Sequence, residues 1–480
     1  MGKTSFVLIA SFTLNFAYAN TNDWSKAAGQ DLIAIHQTIL DNSPATRLPQ
    51  TANFKRWFEP GYKLALSKVN LVRNYNDYVY LLTYYVNGLH TPYFYLNFLQ
   101  KPDQRTVKWP GFVMDWDGKS FKVAITEQGA KTPPKSAILI SCDGMNANDL
   151  FMHNIAPFMS KDPHYKAYWS TEAPYLFIDQ DNPFIQMPKQ CEFAYLKNGL
   201  TYRKRYAMNW QTYPGTAVDL SSKIAKSIPV NMRIQPFAIT PFAINSVWIS
   251  LPSFAGHIDQ LGQIAKSMMQ YRNNNMIVFD LRGNGGDEFA DSVLIIAALY
   301  DVDYLATLEP FFDLNIPFTL IWRVSAANVD YVSKTDMRTA AKLQAAKDKH
   351  QALVQIKQPA YINRVPARQT IINPVKAKVI LLTDSNCAGA CWLFVRTLRE
   401  IPFVTQVGDL NGIMDKYSEP RLIAIRPDVV GIYIPMVAFQ QPIAHFGRPF
   451  IPDRVYRGDL SDTQALQTWL VDLYHSDKLN

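Results

Sequence analysis

The sequence predicts an α/β fold that follows a helical region and a β-rich region. From residue 246 onward, apolar runs of strand length alternate with helix-like segments, as in sheets built from βαβ crossovers. Residues 20–104 show helical periodicity, whereas residues 105–235 show short strands separated by turn residues. We therefore expect a helical region at 20–104, a β-rich region at 105–235 and an α/β core at 236–480, behind a leader at 1–19.

The first 19 residues have the features of an export signal. Lys3 supplies positive charge, Phe6 to Phe16 is mostly apolar, and Ala17-Tyr18-Ala19 is a small-x-small cleavage site. We expect cleavage after Ala19 and a secreted or periplasmic protein. No later segment is a continuous apolar run of about 20 residues, so no transmembrane segment is predicted.

Bulk composition narrows the function classes. The 480 residues are 48% hydrophobic and carry a formal net charge of +8. The hydrophobic content is enough for two or three ordinary domains. The charge excess is modest and spread along the chain without a nucleic-acid-binding motif, so nucleic acid is not an expected partner.

The four cysteines favour disulfides. They are Cys142, Cys191, Cys387 and Cys391, and an even number in an exported protein is typical of a disulfide framework. Sequence alone allows three pairings, of which Cys142 with Cys191 and Cys387 with Cys391 is the simplest. No histidine lies close to these residues, so no metal site is expected, and no cofactor is indicated.

Local patterns place elements in each region. Predicted helices of the helical region are 24–40, 54–68 and 75–86. In the β-rich region, "GFVMDWDGKSFKVAI" predicts a hairpin with Asp-Gly at its turn, and "SAILISCDGMNANDLF" predicts a strand, a turn and a short helix. Predicted strand and helix pairs of the core are 246–254 with 257–270, 275–281 with 288–300, and 378–384 with 391–400.

An insertion at about 309–370 separates the second and third of these pairs. It contains a predicted helix from Ser333 to Ile356, opened by a Ser-x-x-Asp cap. Insertions between βα units commonly line a functional site.

A glycine-rich turn follows the second core strand. In "DLRGNGGDE", residues 280–288, a buried strand runs through three glycines into a helix. Glycines let backbone N–H groups converge on one point, and the helix N-terminus adds partial positive charge, so the turn suits an oxyanion hole or an anion cradle. The alternative is a tight turn that only needs positive φ. The dinucleotide fingerprint GxGxxG is not present.

A second turn of small residues follows the third core strand. In "DSNCAGACWL", residues 384–393, a strand, a tight turn and a helix form the setting in which a catalytic nucleophile usually lies. Because both turns belong to the same α/β core, a nucleophile on this one would face an oxyanion hole on the first.

The two turns together resemble those of the tail-specific, or C-terminal-processing, serine peptidase family. The resemblance rests on "FDLRGNGGDE" and "VILLTDSNCAGACWLFVRTL", and it extends to "WPGF…ILISCDG" and "GRPFIPDRVYRGDLSDTQALQTWL". The second turn resembles the Cys-Ala-Ser-Ala-Cys sequence of a bacterial branch. The resemblance covers most of residues 25–475. It implies a crotonase-like core, a small PDZ-like domain in the β-rich region, and peptides or unfolded protein C-termini as partners.

Carried onto this chain, the family pattern lacks its nucleophile. The catalytic serine falls on Gly389, and the glutamate that often follows it falls on Trp392. The oxyanion hole would consist of the N–H groups of Gly285, Gly286 and Ala390. A glycine cannot attack a carbonyl, and loss of the nucleophile costs a serine hydrolase roughly 10⁶ in turnover.

Other catalytic positions are also altered. The family's lysine falls near Met414, which leaves Lys416 as a displaced candidate. The Asp-x-His of the family falls on Thr91 and Tyr93, which leaves the neighbouring His90 as a candidate base or, alternatively, a structural histidine.

Arg282, Asn284 and Trp392 are the candidate substrate-binding residues. Arg282 could pair with a substrate terminus, and the alternative is a structural ion pair with a carboxylate of the protein.

We expect a peptide-binding member of this family that is catalytically impaired. One alternative is an active peptidase with a displaced nucleophile, Cys391 or Ser385, although a disulfide between Cys387 and Cys391 would remove both thiols. The other alternative is a binder of a small hydrophobic ligand.

Overall fold

The structure, a computed structural model, describes residues 23–49, 52–101, 106–127, 131–159, 169–215, 219–220, 223–224, 236–285, 289–308, 314, 317–361, 371–440 and 447–476. The predicted leader at 1–19 lies outside these residues. None of the helices within these ranges is long and apolar enough to cross a membrane.

Three helices form the N-terminal region, as predicted. They are α1 (Trp24–Asn42), α2 (Ala52–Ser67) and α3 (Tyr75–Asn87), and the short strand β1 (Tyr95–Phe98) follows. The side chains of Asp23 and Asn74 accept backbone N–H groups from the first turns of α1 and α3, which satisfies donors that have no partner inside a helix.

The β-rich region is built on an antiparallel sheet. Its elements are β2 (Lys108–Trp109), β3 (Phe112–Trp116), β4 (Phe121–Thr126), β5 (Ile138–Cys142), β6 (Met145–Asn146), α4 (Ala147–Asn154), α5 (Ala156–Met159), α6 (Trp169–Glu172), β7 (Gln190–Lys197), β8 (Leu200–Ala207) and β9 (Gln211–Thr212). The sheet order is β3-β4-β5-β7-β8, with β6 beside β5 and a separate β2–β9 pair.

Turn residues and a disulfide fix this sheet. The predicted hairpin β3–β4 turns at Asp117 and Gly118, where Gly118 has φ 90°. The predicted strand, turn and helix are β5, the turn after it, and α4. Cys142 and Cys191 lie opposite each other on β5 and β7 and form a disulfide.

The α/β core has the predicted alternation of strands and helices. Its elements are β10 (Ala238–Ala243), β11 (Ser246–Ser250), α7 (Ile258–Ser267), β12 (Met276–Asp280), α8 (Phe289–Tyr300), α9 (Val302–Leu305), β15 (Lys378–Thr383), α12 (Ala390–Arg399), β16 (Val404–Gly408), β19 (Arg454–Val455) and α13 (Thr463–His475). The sheet order is β10-β11-β12-β15-β16-β19. Within this sheet, β11, β12, β15, β16 and β19 run parallel to one another.

This parallel sheet is covered on both faces. Phe279 and Leu381 pack with α7, α8 and α12 on one face, whereas Val278, Ile380 and Leu466 form a smaller core with α13 on the other. Strands buried on both faces read as continuous apolar runs, which is why β12 and β15 were recognisable in the sequence.

A second antiparallel sheet joins the insertion to the N-terminal helices. Its new elements are β13 (Phe318–Arg323), α10 (Ala326–Ser333), α11 (Met337–Asp348), β14 (Leu353–Gln358), β17 (Tyr417–Arg426) and β18 (Val430–Phe439), and its order is β1-β18-β13-β14 with β17 beside β18. Ile432 and Ile434 of β18 share one hydrophobic core with Leu32 of α1 and Tyr78 of α3. The N-terminal helices and residues 417–439 therefore pack as one unit.

The predicted helix from Ser333 to Ile356 is confirmed only in part, because α11 (Met337–Asp348) occupies its middle and strand β14 begins at Leu353. Helix α10 ends at Ser333, and α11 begins after Asp336, whose carboxylate accepts the N–H groups of Arg338 and Thr339. The segment that contains Ile356 is strand β14, which pairs along its whole length with β13. Tertiary pairing with a non-local strand overrode the local helical pattern.

A buried polar network holds the insertion against α1. The Asn328 side chain donates to the carbonyls of Asn42 and Arg323 at 3.0 and 2.9 Å and accepts from the Arg421 guanidinium at 2.8 Å. Arg421 also donates to the Asn42 side chain at 3.0 Å. Asn328 is fully buried. Without its side chain, these two carbonyls and the guanidinium would each lose a hydrogen bond that water could not supply.

We expect Asn328→Ala to lower the free energy of unfolding by about 2–4 kcal/mol, because it leaves buried carbonyls and part of the Arg421 charge without partners. Urea unfolding followed by circular dichroism measures the change. The matched control is Lys342→Ala on α11, an exposed side chain outside the network, whose loss should cost less than about 0.5 kcal/mol. Equal effects of the two substitutions would contradict the importance of the network.

Candidate active site

The two small-residue turns lie side by side at the carboxyl ends of neighbouring parallel strands. Strands β12 and β15 pair with Asp280 opposite Leu382, so the turns that follow them meet at one edge of the sheet. The Gly283 N–H lies 3.1 Å from each oxygen of the Asp384 carboxylate. The Ala388 N–H donates to the Asn284 carbonyl at 3.2 Å.

Asp384 is the polar centre of this arrangement. Its fully buried carboxylate accepts the Gly283 N–H and both the backbone and side-chain N–H groups of Asn386. Burial raises the pKa of this carboxyl group to about 6, with a smaller contribution from the nearby Asp280 carboxylate, and these hydrogen bonds oppose the rise. Sequence reasoning did not single out this residue, although it directly follows a buried strand.

Gly389 lies at the point where the second turn enters a helix. It precedes the first residue of α12 with φ 58° and ψ −121°, a conformation that strains residues with a Cβ atom. Its N–H donates to the Ile413 carbonyl at 3.3 Å, and its carbonyl accepts from Leu393 at 3.2 Å. A strained strand-to-helix turn of this kind presents the nucleophile in many hydrolases, but glycine presents only backbone.

The predicted oxyanion-hole residues are partly described. Ala390 is the first residue of α12, where helical N–H groups have no partner within the helix. Gly285 is exposed, and a Cβ there would lie 3.6 Å from the Asn386 carbonyl oxygen, so the two turns are in close contact. Gly286 lies outside the described residues.

The cysteines of the second turn are joined. Cys387 and Cys391 form a disulfide and are both fully buried. Cys391 therefore has no thiol with which to act as a nucleophile in this structure. The other proposed substitute, Ser385, is also buried, at 8% exposure.

The three predicted substrate-binding side chains lie in the protein interior. Arg282 forms a buried ion pair with Asp280, at 2.7 Å between its Nε and the carboxylate, and donates to the Leu460 carbonyl and to Thr463. Arg282 therefore forms a structural ion pair with a carboxylate of the protein, which was the alternative to a contact with a substrate terminus.

Asn284 and Trp392 support the turns. The Asn284 side chain donates to the Leu251 carbonyl at 2.8 Å. The Trp392 indole donates to the Arg448 carbonyl at 2.9 Å and stacks on Phe450 with 5.0 Å between ring centroids. Both residues are fully buried, so their side chains position backbone and do not project from the surface.

A third segment crosses the second turn. Gly412 donates its N–H to the Cys387 carbonyl at 2.8 Å, and any Cβ on Gly412 would overlap Ala388. This close approach explains the glycine, which the sequence did not reveal as part of the site.

Two charged residues follow this crossing. Burial raises the pKa of Asp415, whose carboxylate accepts the Lys416 N–H at 2.6 Å and faces the Thr91 hydroxyl at a geometry short of a well-formed hydrogen bond. Lys416, the displaced lysine candidate, donates from Nζ to the Pro49 carbonyl at 3.1 Å, and burial lowers its pKa. The Lys416 ammonium also lies over the Tyr417 ring at 4.9 Å.

The segment that carries His90 meets this third segment. Thr91 lies beside Asp415, whereas His90, with φ 53°, lines a cleft between α3 and α4. The structure thus places the 90–91 segment next to the segment that contacts Gly389 through Ile413. A role of His90 as a base remains a prediction.

No family model matches the sequence, and no curated protein matches it. Among solved structures, mature CPAF is similar with a TM-score of 0.52 and 12% identity, over 95% of this chain and 98% of that one. Mature CPAF complexed with lactacystin gives 0.52 and 11% identity, over 94% and 99%. A photosystem II D1 C-terminal processing protease covers 90% and 93% at 11% identity, but its TM-score of 0.34 is too low to establish a shared fold. The chain therefore shares the overall fold of mature CPAF along nearly its whole length.

We expect the stability contributed by Asp384 to fall as the pH rises. Its folded pKa of about 6 exceeds its ordinary value of 3.8, so the group takes up a proton on folding, and stability decreases between pH 4 and pH 7 by about 3 kcal/mol. Asp384→Asn removes this titration. Urea unfolding at several pH values should show wild type losing stability relative to the variant as the pH rises.

The matched control for this titration is Asp472→Asn, an exposed carboxylate on α13. Its stability relative to wild type should not depend on pH in the same way. A constant difference between wild type and Asp384→Asn over this range would contradict the assigned environment of Asp384.

We expect the unfolded, unreduced protein to contain no thiol that reacts with iodoacetamide, because all four cysteines are paired. After reduction, four cysteines should be alkylated. Intact-mass spectrometry counts the added groups, and labelling of Cys391 in an unreduced sample would contradict the Cys387–Cys391 disulfide.

Proposed function

We propose that this protein is a pseudo-peptidase of the tail-specific type, which binds peptides or unfolded protein C-termini without cleaving them. The observation that carries the proposal is Gly389 itself. It lies at a strained strand-to-helix turn beside a glycine-rich turn, where the family resemblance requires a serine. The turn keeps the backbone geometry of a nucleophile site and lacks the nucleophile.

Binding needs only groups that this site retains. A peptide carbonyl at the turn would accept the Ala390 N–H at the start of α12, assisted by the partial positive charge of the helix end. The glycine-rich turn brings the Gly285 backbone to the same edge of the sheet. No covalent step follows, because position 389 offers no hydroxyl or thiol.

The fold supports a peptidase ancestry. The chain shares its fold with mature CPAF, of which one structure holds lactacystin, and the sequence resemblance to tail-specific peptidases places the two turns at the catalytic positions of that family. We propose that the crotonase-like core is the part of the chain that carries the site and that the β-rich region is the PDZ-like domain.

The structure gives less support to a nucleophile at another position than to a site without a nucleophile. The Cys391 sulfur is bonded to Cys387, and Ser385 is buried beside the Gly412 crossing. The Lys416 ammonium, which would have to act as the base, donates to the Pro49 carbonyl.

We also propose that the protein is exported and that its leader is cleaved after Ala19. Two disulfides support this proposal, since disulfides persist in oxidising compartments and are rare in the cytosol. N-terminal sequencing of the protein from the periplasm or medium tests the cleavage position.

We expect the purified mature protein to retain fluorescent unfolded peptides in polarisation measurements and to leave them intact in mass spectrometry. Gly389→Ser restores a hydroxyl and Gly389→Ala is its matched control, since both add a Cβ at positive φ and should cost about 1–3 kcal/mol of stability. Cleavage by the serine variant alone would show that the remaining groups can still support acyl transfer.

Two outcomes would overturn the proposal. Cleavage by wild type would show that another residue acts as nucleophile, and trapping of the acylated residue would identify it. A folded wild type that retains none of the peptides would remove the binding function.

A further inference from the structure

A second concave site lies where the helical region meets the β-rich region. The cleft has a volume of about 380 Å³, which is within the range of small-molecule sites. It is lined by Trp57, Lys68, Tyr84, His153, Phe158 and Phe184, among others, with His90 on its wall.

Aromatic rings from both regions form one continuous wall of this cleft. Trp57 meets Tyr84 edge to face with 5.3 Å between centroids, and Tyr84 stacks on Phe158 at 5.7 Å. Phe158 stacks in turn on Phe184 at 6.3 Å. These rings are partly exposed, so the wall can offer stacking surface to a flat apolar ligand.

The Trp57 end of the wall is rigidly built. The indole donates to the Tyr85 carbonyl at 2.8 Å, and its ring lies directly against Gly61 and Gly88, where a Cβ at either position would overlap it. Two glycines and one hydrogen bond therefore hold the indole in place before any ligand arrives, which lowers the entropic cost of binding.

The charges around the cleft are complementary to an anion. Lys68 lies over the Tyr84 ring at 5.8 Å, and within the described residues no carboxylate pairs with it. His153, exposed in the last turn of α4, is on the same cleft. Among the residues that the structure describes, no aspartate or glutamate lines the cleft.

We propose that this cleft binds a small aromatic carboxylate, a flat apolar ring that carries one anionic group. The ring lies against the aromatic wall, and the carboxylate accepts from the Lys68 ammonium. This site is separate from the Gly389 turn, and its occupation does not depend on whether peptides bind there.

Isothermal titration calorimetry with 3-phenylpropionate tests the site on the full mature protein. We expect a Kd between about 10 µM and 1 mM for a ligand of this size. Neutral 3-phenylpropanamide and the Lys68→Gln variant should each weaken binding by about tenfold or more, because each removes the charge-assisted contact. Lys63→Gln, an exposed lysine of α2 outside the cleft, is the matched control and should bind as wild type does.

The results that would overturn the proposal are distinct. The first is that the folded wild-type protein does not bind 3-phenylpropionate. The second is that the acid and the amide bind with the same affinity. The third is that Lys68→Gln binds the acid as tightly as wild type does. A peptide that ends in phenylalanine and binds this cleft more tightly than the acid would assign it to chain termini instead. The results with the acid, the amide and Lys68→Gln do not depend on cleavage or peptide binding at Gly389, so the two proposals fail independently.

Discussion

The hydrogen bond between the Gly283 N–H and the Asp384 carboxylate is the interaction on which the site depends. It joins two turns that are far apart in sequence but follow adjacent strands of the parallel sheet. The carboxylate is buried, so its charge is tolerable only because three N–H groups point at it. A second buried interaction, the ion pair between Arg282 and Asp280, stabilises the first turn. The relative position of the two turns is therefore set by polar contacts that water does not weaken.

The residue at position 389 determines the backbone strain and the reactivity of the second turn. A side chain at φ 58° would cost about 1–3 kcal/mol, and a catalytic residue normally imposes this cost in exchange for reactivity. Glycine adopts this conformation without the strain and offers no reactive side chain. The neighbouring disulfide closes the turn from Cys387 to Cys391, and the Gly412 crossing contacts it. The shape of the turn therefore depends on contacts that need no side chain at position 389, in keeping with the binding function proposed above.

Sequence reasoning found most elements and both turns for identifiable reasons. Strands β12 and β15 are continuous apolar runs because helices cover both faces of their sheet, and Gly118 marks its hairpin because the turn needs a φ of 90°, which glycine adopts without strain. Long-range pairings were not predictable. Strand β18 joins β1 and β13, and β14 replaces the last residues of a predicted helix, because those pairings depend on partners distant in sequence.

The same limit applied to the site. Gly389 could be identified from its motif, whereas the roles of Asp384 and Gly412 depend on which strands and loops become neighbours. Arg282 shows the converse. Its charge beside a glycine turn allowed either a substrate contact or a structural ion pair, and the partners that satisfy the guanidinium include the Leu460 carbonyl and Thr463, which are distant in sequence.

The segment 88–91 connects the two binding sites that we propose. Gly88 lies against the indole at the end of the aromatic wall, and His90 lines the cleft. The positive φ of His90 turns the chain sharply there, so that the next residue, Thr91, is buried and faces Asp415. From Asp415 the chain leads back two residues to Ile413, which accepts the Gly389 N–H. The aromatic cleft and the Gly389 turn are therefore joined by packed backbone that passes from Gly88 through Thr91 and Asp415 to Ile413.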